Sequence, residues 1–276
     1  MVLSESFYIP VLLAVLLLTD RVVRSRAPAR WLLLGCAWGG AALVRPHALP
    51  CCVLICAVAL WKWPALFSRL LLLGAGLAAV LGAWVARNCV EIGHPVLLAT
   101  EGGETLLGAN NPYVWHDPAY SGLWLAPVAI PEYRDRLRPI RGEVERDREQ
   151  NRIALAFVRE NPASAPGAVA RKLWRWLTPV PHTGGLVRVL TLGSYAPLLV
   201  FLFLGAARGA ARGGGPRDFM LLMALAVTAA SFAITAVYWG NLVRGRLPLE
   251  MMWLPWGAAS AGALFTRLAR RRPVAR

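Results

Sequence analysis

Lysine is almost missing from this chain, and so are the patterns that mark many soluble catalytic and metal sites. Of the 30 basic residues only Lys62 and Lys172 are lysine, and acidic residues number 15. A Gly-x-Ser-x-Gly elbow, a P-loop and a dinucleotide fingerprint are all absent, so none of those chemistries is signalled. His94, His116 and His182 are far apart and lack helical or knuckle ligand spacing, which leaves no basis for a metal site. Cysteine gives no disulfide framework. Cys36, Cys51, Cys52 and Cys56 lie in apolar runs as small buried hydrophobes, and Cys89 stands alone in a polar stretch. No internal repeat and no heptad pattern occurs.

What the chain has in abundance is apolar sequence. Hydrophobic residues make up 57% of it, with 12 Trp, and several runs approach the ~20 residues needed to cross a bilayer. The expected fold is an all-α integral membrane protein. A formal charge of +15 raises the question of nucleic acid, but the basic residues cluster at the ends of apolar runs, which argues for a membrane lipid partner and against nucleic acid.

The first run, roughly Phe7 to Val23, follows Glu5 and is bounded at its far end by Asp20, Arg21, Arg24, Arg26 and Arg30, the reverse of a signal peptide's order, and reads as a transmembrane helix. Trp31 to Trp61 is interrupted by Arg45-Pro46-His47. A single helix of that length, ~45 Å, would carry an arginine and a helix-breaking proline at its centre, so two short helices meeting at Arg45-Pro46 are expected. Counting them as two passes puts residues 20–30, 62–69, 206–217 and 267–276 on one side. These segments hold 14 basic residues and one acid, Asp20, whereas 87–185 holds 12 basic and 11 acidic residues. By the positive-inside rule the amino terminus is then outside and the carboxyl terminus cytoplasmic.

Seven passes follow, near residues 7–23, 31–45, 46–62, 69–86, 186–205, 219–238 and 248–266. The chain thus divides into membrane helices over 1–86, a roughly hundred-residue mixed outer loop region over 87–185, and three further membrane helices with a basic tail over 186–276. Within the outer region the pattern predicts a helix over 142–160, ended by Asn161-Pro162, and a second from about Ala165 to Leu177. That second helix carries Arg171, Lys172, Arg175, Trp174 and Trp176, the mix expected in the headgroup layer. Gly213 to Pro216 reads as a short cytoplasmic turn.

From Ala86 to Tyr113 the sequence turns abruptly polar. Gly102-Gly103 and Gly108 permit backbone conformations closed to other residues, and Asn110-Asn111-Pro112 supplies amides and a fixed turn, so the stretch reads as the mouth of a site at a membrane surface. The alternative is a turn that merely returns the chain to the bilayer. The pattern RN-x-x-x-x-G-x-P-V-L-L-x-T-x-G-G-E-x-L-x-x-G-x-N-N-P, with SESFYIPVLLAVLLL, GGAALVRPHALP and RGRLPLEMMWLPWGAASAGAL elsewhere, resembles bacterial glycosyltransferases of the dolichyl-phosphate-mannose-protein mannosyltransferase type, in the GT-C superfamily. These motifs span nearly the whole chain in the expected order.

The resemblance implies a multi-pass plasma (inner) membrane enzyme that takes a sugar from a polyprenyl-phosphate donor, with no other cofactor. The acceptor hydroxyl loses a proton to a carboxylate as it attacks the anomeric carbon, and cations hold the departing lipid phosphate. In that family the catalytic acid lies in a first outer loop which this sequence does not match. The expectation is therefore a carboxyl-terminal part of such an enzyme, inactive alone, with the general base upstream of Met1 and Glu5 a weak substitute.

Glu5, Arg45, Arg244, Arg246 and Glu250 fall at or just within the outer boundary, where unpaired charge is costly. The substrate-binding candidates are Arg45, Glu104, Asn110, Asn111, Arg244 and Arg246, the arginines for phosphate and the others for sugar or acceptor hydroxyls. Against this stand snorkelling or pairing of Arg45 and Arg246 with Glu5 and Glu250, and simple solvation of Glu101. A secondary transporter would need a second broken helix in a matching half, and only the Arg45-Pro46 break is visible. A non-catalytic membrane scaffold is the other alternative.

Overall fold

The computed structural model describes residues 4–178, 185–211, 218–238 and 246–270. Among these residues all regular secondary structure is helical. The first group comprises α1 (Ser4–Val23), α2 (Pro28–Val44), α3 (Ala48–Lys62) and α4 (Phe67–Glu91). A layer of five further helices follows: α5 (Gly102–Ala109), α6 (Pro112–His116), α7 (Pro131–Leu137), α8 (Glu143–Glu160) and α9 (Ala165–Leu177). The chain then returns through α10 (Gly185–Ala211), α11 (Asp218–Tyr238) and α12 (Leu247–Arg270). Helices α1, α4, α10 and α11 are long and apolar enough to cross a membrane.

Proline sets several of the ends. Pro28 starts α2, where its missing N–H costs no helical hydrogen bond. Pro46 disfavours the helical conformation of the residue before it, and Arg45 is extended, with φ −154° and ψ 125°. The helix pair therefore breaks where the sequence places it. At the far end of α8, Asn161 leaves the helical region and its side-chain Nδ2 donates to Phe157 O at 2.9 Å, covering one terminal carbonyl.

Helices α2 and α4 pack through glycine. A Cβ at Gly35 would overlap the carbonyl of Leu73, and one at Gly76 would overlap that of Leu32, so the two backbones lie in direct contact. Polar side chains in this apolar setting find partners. Trp38 donates to Thr19 Oγ1 at 3.1 Å, tying α2 to α1, and Trp253 donates to Thr228 Oγ1 at 3.0 Å, tying α12 to α11.

The layer has small cores of its own, one of Leu106, Leu107, Leu137, Ile153 and Ala154 and another of Val114, Trp115 and Ala168. It packs on the bundle through α5 and α9, both of which meet α11. Two expectations are corrected here. Among the described residues of the region expected to be mixed, all regular secondary structure is helical, and Gly102, Gly103 and Gly108 have ordinary helical backbone, positive φ being confined among the described residues to Gly93, Gly122 and Gly185. The reason for glycine at Gly103 and Gly108 is space. A Cβ at Gly103 would overlap the carbonyl of Asp147 on α8, and one at Gly108 would meet the Trp124 indole.

Candidate functional site

Polar groups gather where the layer meets the bundle. His47 lies in the turn between α2 and α3 and reaches two other helices. Its Nδ1 is 2.8 Å from Tyr8 Oη on α1, and its Nε2 is 3.1 Å from Ser231 Oγ on α11. Ser231 Oγ donates its proton to Val227 O at 2.8 Å, so it accepts from His47 Nε2–H. Nδ1 is then the acceptor for the Tyr8 hydroxyl. The half-buried Arg45 guanidinium stands 5.9 Å from the centre of the Tyr8 ring. Ser231 precedes Val237 by about 9 Å of helix rise, and Val237 contacts the layer, so this cluster lies just beneath it.

Two buried cations hold the layer down. Lys172 has no exposed surface and donates to Asn110 Oδ1 at 2.8 Å and to Ala236 O at 3.3 Å, at the C-terminal turn of α11. Burial pulls its amine down to about 8. Arg246 is 1% exposed. Its Nε donates to Glu250 Oε1 at 2.6 Å and its Nη1 to Trp176 O at 2.5 Å, beyond which lies Thr178 O at 3.4 Å. The guanidinium also sits 4.6 Å from the centre of the Tyr195 ring. Each cation thus meets the free carbonyls at the C-terminus of a helix, where positive charge is favoured.

The asparagines belong to the same joint. Asn110 Nδ2 bridges Leu106 O and Val237 O, each at 2.8 Å. Asn111 caps α6 by accepting from Val114 N at 3.0 Å, while its Nδ2 donates to Leu107 O at 2.9 Å. Both amides are buried, with their Nδ2 groups given to backbone carbonyls and the Asn110 oxygen taken by Lys172. Arg246 and Glu250 form the ion pair that was the alternative to phosphate binding.

A cleft of about 250 Å³ opens at the end of α4. Its lining includes Trp84, Arg87, Asn88, Thr100, Glu101 and Glu143. Trp84 Nε1 donates to Leu98 O at 3.2 Å, and Asn88 both accepts from Arg87 Nη1 at 2.9 Å and donates to Val96 O at 2.8 Å. Those bonds fold the segment after α4 back against the helix and fix one wall. Beside the cleft, His94 and Glu145 pair at 3.0 Å across the surface. The Glu145 carboxyl is held below its ordinary range, first by its own backbone N–H and then by His94.

The predicted residues therefore separate. Arg45 joins the cluster at the bundle end, Asn110 and Arg246 flank the α9–α11 joint, and Asn111 caps a helix in the layer. Glu104 lies half-buried in the first turn of α5, whereas Glu101 lines the cleft. Glu5 is in the first turn of α1, with its side chain outside the described residues, and Arg244 and residues 213–216 lie outside them altogether.

One further expectation needs correction. In α9, Lys172 and Trp176 face inward rather than the headgroup layer, because Ala168, Lys172 and Trp176 recur every four residues on the side packed against α11. Trp174 is 73% exposed, on the opposite side. That spacing was readable beforehand. The roles of Tyr8, Arg87 and Glu143 carried no sequence signal, since each depends on a partner far along the chain.

No family model matches this chain, and no match occurs among curated proteins or solved structures.

Proposed function

We propose that this chain serves a membrane glycosyltransferase that moves a sugar from polyprenyl phosphate to an acceptor on the outer face of a cell's inner membrane. In this reading all seven long helices cross the bilayer, the amino terminus and the helical layer are outside, and the carboxyl terminus is inside. The observation that carries it is the position of Arg45. Its guanidinium lies at a helix break beside Tyr8 and His47, at the end of an apolar bundle covered by a polar layer.

A phosphate still anchored by its polyprenyl tail reaches that level from the side, and an arginine fork binds two of its oxygens. In the reaction the acceptor oxygen forms a bond to the anomeric carbon, the bond from that carbon to the phosphate oxygen breaks, and the lipid phosphate leaves. The acceptor hydroxyl gives up its proton to a carboxylate base, for which Glu5 at the start of α1 is the weak candidate within this chain. A scaffold is the second reading, favoured by the way the Tyr8–His47–Ser231 chain closes on Val227 O.

Binding of polyprenyl phosphate to the purified protein in nanodiscs separates the two. The expected order of affinity is wild type, Arg45→Lys, Arg45→Ala, with the alanine variant weaker by roughly tenfold or more. Arg246→Ala should instead lower the yield of folded protein. Equal binding by wild type and both Arg45 variants, or no binding by the folded wild type, removes the lipid-phosphate reading.

A further inference from the structure

We infer that the cleft at the end of α4 is a binding site for an uncharged, hydroxyl-rich ligand the size of a single sugar ring. Its volume of about 250 Å³ lies just below the range of ordinary small-molecule pockets. Three parts of the chain build it: the last turns of α4, the segment that follows, and Glu143 at the start of α8. One wall is fixed in advance, because Trp84 Nε1 and Asn88 are already bonded to the backbone of Leu98 and Val96. That arrangement removes part of the ordering cost of binding.

The ligand class follows from the remaining groups. Among the described residues neither the Glu101 nor the Glu143 carboxylate has a side-chain partner, and Arg87 supplies guanidinium donors beside them. The two carboxylates oppose an anion, and the guanidinium opposes a metal cation. Hydroxyl groups satisfy both kinds of side chain, donating to the carboxylates and accepting from Arg87. Ile92, Val96 and Leu98 offer the C–H face of a sugar ring an apolar wall. This site is separate from the one proposed around Arg45, and its occupancy does not depend on sugar transfer.

Saturation-transfer NMR on the protein in nanodiscs tests the inference, with the methyl glycosides of glucose, galactose, mannose and N-acetylglucosamine as probes. At least one should receive saturation from the protein. The Glu101→Gln/Glu143→Gln double variant should weaken that binding roughly tenfold by loss of charge-assisted hydrogen bonds, and Arg87→Gln should weaken it as well. The labelling rate of Cys89 reports whether each variant keeps the fold around the cleft. No saturation of any probe by folded wild type overturns the inference, as does equal saturation by the double variant. A calcium titration supplies a further arm. Calcium binding that the double variant loses, with every sugar silent, assigns the cleft to a cation and overturns the inference as well.

Discussion

Lys172 is a cation placed where a bilayer-facing helix would have offered it water. It has no exposed surface, and its amine is lowered from 10.5 to about 8 by burial. Between those two pH values the unfolded chain holds a proton that the folded chain has released, so folding stability rises with pH across that window. The gain has an upper limit on the order of 3–4 kcal/mol. Thermal unfolding from pH 7.5 to 10.5 should therefore show the wild type gaining midpoint relative to Lys172→Met, which cannot titrate at this position. A loss relative to the methionine variant would mean that the charged amine stabilises the joint more than burial penalises it. Asn110, Asn111 and Arg246 teach a related lesson. They were legible as polar residues beside apolar runs and read as candidates for a ligand, but whether a ligand or the protein's own carbonyls takes their hydrogen bonds depends on residues such as Val237 and Trp176, far away in the chain.

Helices whose ends are fixed by local chemistry were the most legible elements. Arg45-Pro46 breaks the α2–α3 pair, and α8 and α9 end at Glu160 and Leu177, as patterning predicts. Helix α5 was not legible, since Gly102-Gly103 lowers its intrinsic propensity and only the close approach of α8 selects the helix. The same distinction gives a test in α4. A Cβ at Gly74 meets nothing within 4 Å, whereas one at Gly76 overlaps the Leu32 carbonyl. Gly74→Ala should be neutral or stabilise by up to ~1 kcal/mol through helix propensity. Gly76→Ala should destabilise by ~1–3 kcal/mol, because two backbones must separate. Denaturant unfolding of the two variants checks the pair, and similar values for both would show that α2 and α4 do not cross at this glycine.

At the scale of the whole molecule, contacts sort the helix ends into two groups. Ser25, Arg30 and Arg69 meet at one end, where Arg69 Nη1 donates to Ser25 O at 3.4 Å and Arg30 Nη1 to Ser25 Oγ at 3.2 Å. The rings of Trp63 and Phe219 join there, 5.2 Å apart. Tyr8, His47, Ser231 and the layer occupy the opposite end. The basic connections α1–α2 and α3–α4 thus share one end, and the proposed orientation puts that end in the cytoplasm. Cys89 provides a native probe of this orientation, being exposed near the layer end of α4. In spheroplasts an impermeant maleimide should label the wild-type chain at Cys89, and Cys89→Ser should abolish the signal. An Arg26→Cys substitution in that serine background should label only after the membrane is opened. The inverse pattern, with Cys89 protected until lysis and the cysteine at position 26 labelled in sealed spheroplasts, would turn the molecule over. The layer, the Arg45 cluster and the cleft would then face the cytoplasm, and transfer at the outer face would be excluded.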